Sequence, residues 1–397
     1  MSLKGFYKTD LNKFKVPKIG IGMLGYGFMG KAHTNAFKKI TYMSWSGLPP
    51  AIPDLIAICG RTENKVEEAA FKFGYKGFYT DWREAVKDPQ IEIVDNCFPD
   101  NMHCEPSIAA AKEGKHIICE KPLAMTLKDA ERMLLAVKEA GVKHMCAYNY
   151  RFIPAVRLAK EIIEKGYMGN IYEFRGRYLQ HYGADPLTPI ENVWYATGTR
   201  SGVLLGIGSH VIDMARFLIG EISTVFGIQK VFNKSRPNNS GKYIDVVVDE
   251  SNTVVIEFEN GAVGTIEASC INAGRKNQHT WEIYGSKGSM FWDLEDLNNL
   301  YVNLMNSSVK EISGFTKVNV TDPNHPFSDM LWPPGHLMGW ESGQVNEIFH
   351  FVDAVVNNKP VEPYGATFYD GYMVQLIMDS VNKSNMSGKK IKIKTEI

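Results

Sequence analysis

Apolar residues in the first 150 positions come in short unbroken runs separated by amphipathic stretches. The runs are "KIGIGMLG" (18–25), "DLIAIC" (54–59), "IEIVDNC" (91–97), "HIIC" (116–119) and "KHMCAY" (143–148). Such near-continuous runs suit a parallel sheet covered on both faces better than a half-exposed one. Between them, Val66, Ala69, Ala70 and Phe73 recur at helical spacing and stop at Gly74. Leu127, Ala130, Met133, Leu134 and Val137 do the same before Gly141. Glycine suits the left-handed residue that ends many helices. Strand and helix alternating in this way predict right-handed βαβ units and a doubly wound α/β sheet.

The pattern changes near residue 150. A helical stretch, "AVRLAKEIIEKG" (155–166), leads into text dominated by strand-like alternation: "IYEFRGRYLQ", "TVFGIQKVF" and "VVVDESNTVVIEFENGAVGTIEAS". Asn260-Gly261 divides the last of these into two runs, a strong hairpin signal. "WEIYGSKGSMFWD" reads as a second hairpin, and "VNEIFHFVDAVVNN" and "DGYMVQLIMDSVNKS" as two closing helices. The expectation is an N-terminal doubly wound domain over 1–150. An α+β domain over 151–397 should follow, with an open, mostly antiparallel sheet and a last helix able to pack back on the first domain. At 397 residues the chain is too long for one typical domain.

Composition narrows the class. Lys+Arg and Asp+Glu tie at 44 each, so no basic footprint for nucleic acid is expected. No apolar stretch approaches the roughly 18–20 residues a spanning helix needs. The lysine-studded N-terminus lacks the apolar core of a secretory signal. The six cysteines form no CxxC, and four sit in apolar strand-like runs, which fits a reducing cytoplasm. The ten histidines show no HxH or HExxH spacing, so no metal is expected.

The first strand runs into Gly25-Tyr26-Gly27-Phe28-Met29-Gly30, and a helix opens at about Lys31. GxGxxG in a strand–turn–helix context predicts a Rossmann dinucleotide site. Gly25 would allow the tight turn, Gly27 the approach of a pyrophosphate and Gly30 close helix–strand packing, with the helix N-terminus facing the anion. An NAD site usually carries an acid at the end of the second strand. Here that place reads Cys59-Gly60-Arg61-Thr62. Arg61 would pair with a 2′-phosphate or stack on adenine, which leaves NAD and NADP both open with a slight tilt to NADP.

The fifth strand runs into Cys119-Glu120-Lys121-Pro122-Leu123. A lysine at that carboxyl end faces the ligand crevice of an open α/β sheet, although a surface Lys-Pro turn would look the same. Further on, "GVLLGIGSH" (202–210) is a glycine-rich lead into a helix. It delivers His210 either to an active site or to an ordinary core.

The glycine loop, "EKPLA", "NYRFIPAV" and "HVIDMARFLIGE" together resemble the Gfo/Idh/MocA family of NAD(P)-dependent dehydrogenases and reductases, from about Lys18 to the last helix. "NYRFIPAV", "RYLQ" and "AGRKN" are most similar to the branch that includes levoglucosan dehydrogenase. The resemblance implies a cofactor domain, a substrate and oligomerisation domain, and a homodimer or homotetramer. It implies Lys121 and His210 as the catalytic pair acting on a secondary hydroxyl of a sugar, anhydrosugar or cyclic polyol. It also implies Gly25, Gly27, Phe28, Met29, Gly30, Arg61, Pro99, Asp100, His103, Glu120, Lys121 and Asn149 along the cofactor. Lys121, Arg151, Asp185, Gly206 and His210 would meet substrate. An NAD-dependent glycoside hydrolase and a non-catalytic dinucleotide or sugar sensor are the competing readings.

Two positions depart from the family pattern. Asp usually stands four residues before the histidine, on the same helical face, and here the residue is Gly206. Thr-Pro-Asn after the fourth strand is replaced by Phe98-Pro99-Asp100. Asp213 and Asp185 are candidate substitutes for the missing carboxylate. Trp332 and His336 either wall a sugar pocket or belong to a packed proline-rich loop, with the loop slightly preferred.

Overall fold

In the computed structural model, which describes residues 9, 13–193, 202–305, 311 and 313–395, the early apolar runs lie side by side as strands. Most of the N-terminal stretch read for a signal lies outside the described residues. Strands β1 (Lys18–Leu24), β2 (Ile52–Cys59), β3 (Gly77–Tyr79), β4 (Ile93–Asn96), β5 (His116–Cys119) and β6 (His144–Cys146) form one parallel sheet. Its order, β3-β2-β1-β4-β5-β6, reverses direction between β1 and β4 and opens a crevice at the strand carboxyl ends. The connecting helices are α1 (Phe28–Lys39), α2 (Glu63–Phe73), α3 (Trp82–Ala85), α4 (Cys104–Lys112) and α5 (Leu127–Ala140). Helices α2 and α5 end on left-handed Gly74 and Gly141, as their spacing predicts.

The second half is built on α6 (Pro154–Glu164), β7 (Ile171–Leu179), α7 (Ser209–Ile219) and β8 (Ile222–Lys230). A small ribbon of β9 (Ser235–Pro237) and β10 (Tyr243–Asp245) follows, then β11 (Ser251–Phe258) and β12 (Val263–Ser269). Next come β13 (Gln278–Gly285), β14 (Gly288–Asp293), β15 (Asn299–Leu304) and β16 (Thr316–Asn319). Helices α8 (Ser342–Val356) and α9 (Phe368–Ser387) precede a short β17 (Ile391–Lys392). Nine strands form an open sheet in the order β16-β15-β14-β13-β7-β12-β11-β8-β17. Every pair is antiparallel except β7 with β12. The β11–β12 hairpin turns at Asn260-Gly261, where φ of Gly261 is 88°.

One face of this sheet is core, with Trp281 and Trp292 fully buried and stacked 6.3 Å apart. Helix α7 packs on β7 and β12, and α9 packs on β8. The other face leaves Phe226, Ile228, Val255 and Val263 exposed. Helices α8 and α9 return to the first sheet, against α1 and α5. Their lead-in is stitched to β6: Cys146 N donates to Ala366 O at 2.7 Å, and Phe368 N to His144 Nδ1 at 3.0 Å. That return fixes the approach of α7 to the crevice.

Candidate active site

The glycine loop has the geometry its spacing predicts. Gly25 has φ of 105°, and a Cβ there would sit 2.6 Å from Cys97 O. A Cβ on Gly30 would sit 2.1 Å from Gly25 O, so only glycine lets α1 lie this close to the turn. A Cβ on Gly27 would meet nothing within 4 Å. Gly27 also begins α1 without a side-chain cap, which leaves first-turn amides facing open space. These features fit a pyrophosphate. Phe28, exposed at the loop tip, stacks on Trp340 at 5.3 Å, and Met29 is half-buried behind it. Arg61 is exposed just past β2, with no hydrogen bond or ion pair among the described residues.

Lys121, just past β5, donates from Nζ to Gly206 O at 2.7 Å. Gly206 lies in a π-helical turn, Leu204–Gly208, that continues directly into α7. "GVLLGIGSH" is therefore helical from Val203 rather than a turn feeding a helix. Single π turns of this kind occur mostly at functional sites. His210 is the second residue of α7 and only 6% exposed. Its Nδ1 is sealed without a partner among the described residues, so Nε2 is the nitrogen left to meet a ligand.

The surroundings tune both groups. Burial pushes the His210 imidazole well below the ordinary histidine range, and the Lys121 charge and His279 push it further. Burial also lowers the Lys121 ammonium, against the opposing charges of Glu120 and Asp100. A neutral histidine beside a lysine is the pair a proton-accepting step needs.

Around His210 stands an aromatic cage that sequence reasoning missed. Tyr150, Tyr148 and Tyr178 lie 4.8, 5.8 and 5.9 Å from its ring, and His279 lies 6.3 Å away. The hydroxyls of Tyr150 and Tyr178 are 2.9 Å apart, and Tyr178 donates to Asn277 Oδ1 at 2.7 Å. Tyr148 and Tyr150 lie just past β6, whereas Tyr178 and His279 come from β7 and β13, far off in the chain.

Several expected site residues are committed elsewhere. Arg151 is buried and donates to both Asp213 oxygens, at 2.9 and 2.6 Å, and to Asp370 at 3.2 Å. Its Nε and Nη2 are thus committed to these two carboxylates, and Asp213 is its counter-ion rather than a replacement for the missing carboxylate. The Asp185 side chain is exposed and accepts from Leu187 N at 2.9 Å, closing its own turn. His103 is buried with ring nitrogens 2.8 Å from Pro122 O and 2.9 Å from Phe98 O, so it braces the loops rather than reaching outward. Pro99 and Asp100 open the short helix after β4, and Asp100 adds negative charge facing Lys121. Asn149 is buried, with Nδ2 3.0 Å from the Gln344 side-chain amide. Glu120 is buried, and its Oε2 accepts from Lys121 N at 3.0 Å.

Trp332 pairs edge-on with Trp45 at 5.8 Å, and His336 Nδ1 lies 2.8 Å from Pro333 O. Trp45 Nε1 donates to Leu331 O at 2.5 Å. The loop that follows α1 thus docks on the proline-rich loop, whose residues 332–337 are themselves exposed.

Comparison with known proteins accords with this geometry. Residues 19–148 match the oxidoreductase family with an NAD-binding Rossmann fold, and residues 156–291 match the GFO/IDH/MocA C-terminal domain. Levoglucosan dehydrogenase of Pseudarthrobacter phenanthrenivorans is 39% identical over 380 residues, 92% of this chain and 96% of that one. Myo-inositol 2-dehydrogenase of Thermotoga maritima is 32% identical over 274 residues, 69% of this chain and 75% of that one. A structure of levoglucosan dehydrogenase in complex with NADH and levoglucosan superposes with a TM-score of 0.90 at 39% identity, covering 95% of this chain and 99% of that one. The protein is an oxidoreductase of the GFO/IDH/MocA family.

Proposed function

We propose that this chain oxidises a secondary hydroxyl of a sugar, anhydrosugar or cyclic polyol using NAD. The observation that carries the reading is the contact of Lys121 with Gly206, which brings an ammonium from the first sheet beside His210 of the second half. Residues 1–150 would hold the cofactor and 151–397 the substrate. Gly25, Gly27, Phe28, Met29 and Gly30 fit the pyrophosphate, while Pro99 and Asp100 border the nicotinamide end. Bound there, the nicotinamide supplies a hydride acceptor. His210 Nε2 takes the hydroxyl proton, and Lys121 holds the same oxygen and stabilises its developing negative charge. The cage of Tyr148, Tyr150, Tyr178 and His279 keeps water from that proton. NAD is favoured over NADP because the superposable relative carries NADH. Arg61 then stacks on adenine rather than pairing with a 2′-phosphate.

The exposed apolar residues of the open sheet (Phe226, Ile228, Val255 and Val263) suit burial against a second copy, as a homodimer or homotetramer. Six free thiols fit a cytoplasmic setting, and no described helix is long and apolar enough to cross a membrane.

Thermal-shift titration with NAD and NADP, followed by a sugar and polyol panel read by absorbance of reduced cofactor, tests the reading. Stabilisation by NAD with turnover of a sugar or polyol supports it. Release of a product sugar with no net reduced cofactor would make the chain a hydrolase instead. Stabilisation by a sugar with neither outcome would make it a sensor.

A further inference from the structure

Behind Lys121 lies a buried cluster of charges that none of the roles above uses. His33, one turn past Gly30 on α1, is fully buried. Its Nδ1 lies 2.9 and 3.1 Å from the two oxygens of Asp95 on β4. Its Nε2 lies 3.2 Å from Glu120 Oε1, within ion-pair distance though outside hydrogen-bond geometry. The other oxygen of Glu120 accepts from Lys121 N. One imidazole therefore spans three elements: the helix that starts at the glycine loop, a central strand, and the turn that carries Lys121.

We propose that His33 is a positioning residue for the reaction, standing between Asp95 and Glu120 so that the Glu120 carboxylate stays ionised and holds Lys121 at Gly206. This inference rests on the oxidoreductase reading for what Lys121 does, but not for how it is held.

The surroundings support the charge pattern. Burial alone would lower the His33 imidazole, yet Asp95 and Cys97 outweigh it and hold it well above the ordinary range. Burial would raise Glu120, yet His33 and Lys121 bring it below the ordinary carboxylate range. The groups facing His33 are Asp95 on β4, Cys97 just past it, Glu120 just past β5, Tyr75 beyond α2, and Glu347 from α8. Glu347 has both oxygens sealed without a hydrogen-bond partner among the described residues, and burial pushes it well above the carboxylate range. The groups acting on Lys121 are Glu120, Asp100, Cys146 from β6, and His210. His33 is thus the cation that balances Asp95 and Glu120 from within. Without it, a buried Glu120 takes up a proton and Lys121 loses its nearest counter-charge.

The test follows the Lys121 titration by NMR of 13Cε-lysine-labelled protein, alongside kcat/KM against pH. His33→Gln should move the Lys121 titration down by about one unit, and Glu120→Gln should move it the same way. The double variant should match Glu120→Gln alone, because His33 acts through that carboxylate. The kcat of His33→Gln should fall on the order of 10- to 100-fold, with the NADH dissociation constant changed less. A Lys121 titration unmoved in a folded His33→Gln protein overturns the proposal, as do additive shifts in the double variant. If His33→Gln does not fold, the imidazole 15N shifts of the parent decide: a doubly protonated His33 at pH 8 supports the proposal, and a neutral one overturns it. Stoichiometric zinc in the purified parent also overturns it, since His33, Asp95 and Cys97 bring suitable atoms within 4.8 Å of one another. A parent that turns over no sugar would remove the oxidoreductase reading and leave the Lys121 titration to judge His33.

Discussion

Asp213, three residues past His210, is gripped by Arg151 through two hydrogen bonds of 2.9 and 2.6 Å, with neither side chain reaching solvent. The pair is structural: it ties the start of the second half to α7, and Asp370 joins α9 to the same guanidinium. Arg151→Ala would leave the buried Asp213 without its ion-pair partner, whereas Asp370 keeps Arg216 at 3.1 Å. A loss of about 3–5 kcal/mol is expected, measured by urea unfolding. A loss below about 1 kcal/mol would show that the network is not holding α7 in place.

The pH dependence of turnover should expose the coupling between Lys121 and His210. Activity requires neutral His210 and is lost as pH falls through its lowered pKa. The acidic limb of kcat/KM should therefore lie below the ~6.5 of an ordinary histidine. Lys121→Met removes one cause of that lowering, so the limb should move up while kcat falls roughly 100- to 1000-fold. His210→Ala should cost about 100- to 10,000-fold in kcat and leave NAD binding nearly intact. An acidic limb that stays put in Lys121→Met would break the link between the two charges.

The glycines of the cofactor loop should separate into two kinds. Gly30→Ala pushes a methyl against Gly25 O and should destabilise the protein by about 1–3 kcal/mol even without ligand. Gly27→Ala meets no protein atom and should keep stability within about 1 kcal/mol. It should nonetheless weaken NAD binding, because the new methyl occupies the approach of the pyrophosphate. Thermal melts with and without NAD distinguish the two.

Gly206→Asp would add a carboxylate beside Lys121 and His210. Substrate preference should change more than NAD affinity, and the acidic limb should move up as the new charge favours imidazolium. An unchanged substrate profile across the sugar panel would show that position 206 does not face substrate.

Much of this architecture was legible in the chain because it is local. Unbroken apolar runs marked the parallel strands, Gly74 and Gly141 marked helix ends, and Asn260-Gly261 marked the hairpin. The glycine loop was readable for the same reason, since its constraints act within six residues. The site was only half legible. Lys121 and His210 stood out through the resemblance, but Tyr178 and His279 reach His210 by the pairing of β7 with β13, across roughly a hundred residues. The commitment of Arg151 to Asp213 and Asp370 was equally invisible, because a charged side chain in a sequence does not announce its partner. The same holds for His33, whose two carboxylates arrive on β4 and just past β5. The π turn escaped too, since no apolar spacing distinguishes it from the helix it feeds.

The atom of Gly206 that receives Lys121 belongs to the main chain, so every amino acid except for its side chain offers the lysine the same anchor. Position 206 is thereby uncoupled from the fixed part of the machinery. The anchor of the ammonium therefore survives a change of side chain at 206, even where a new charge there shifts the titration of His210.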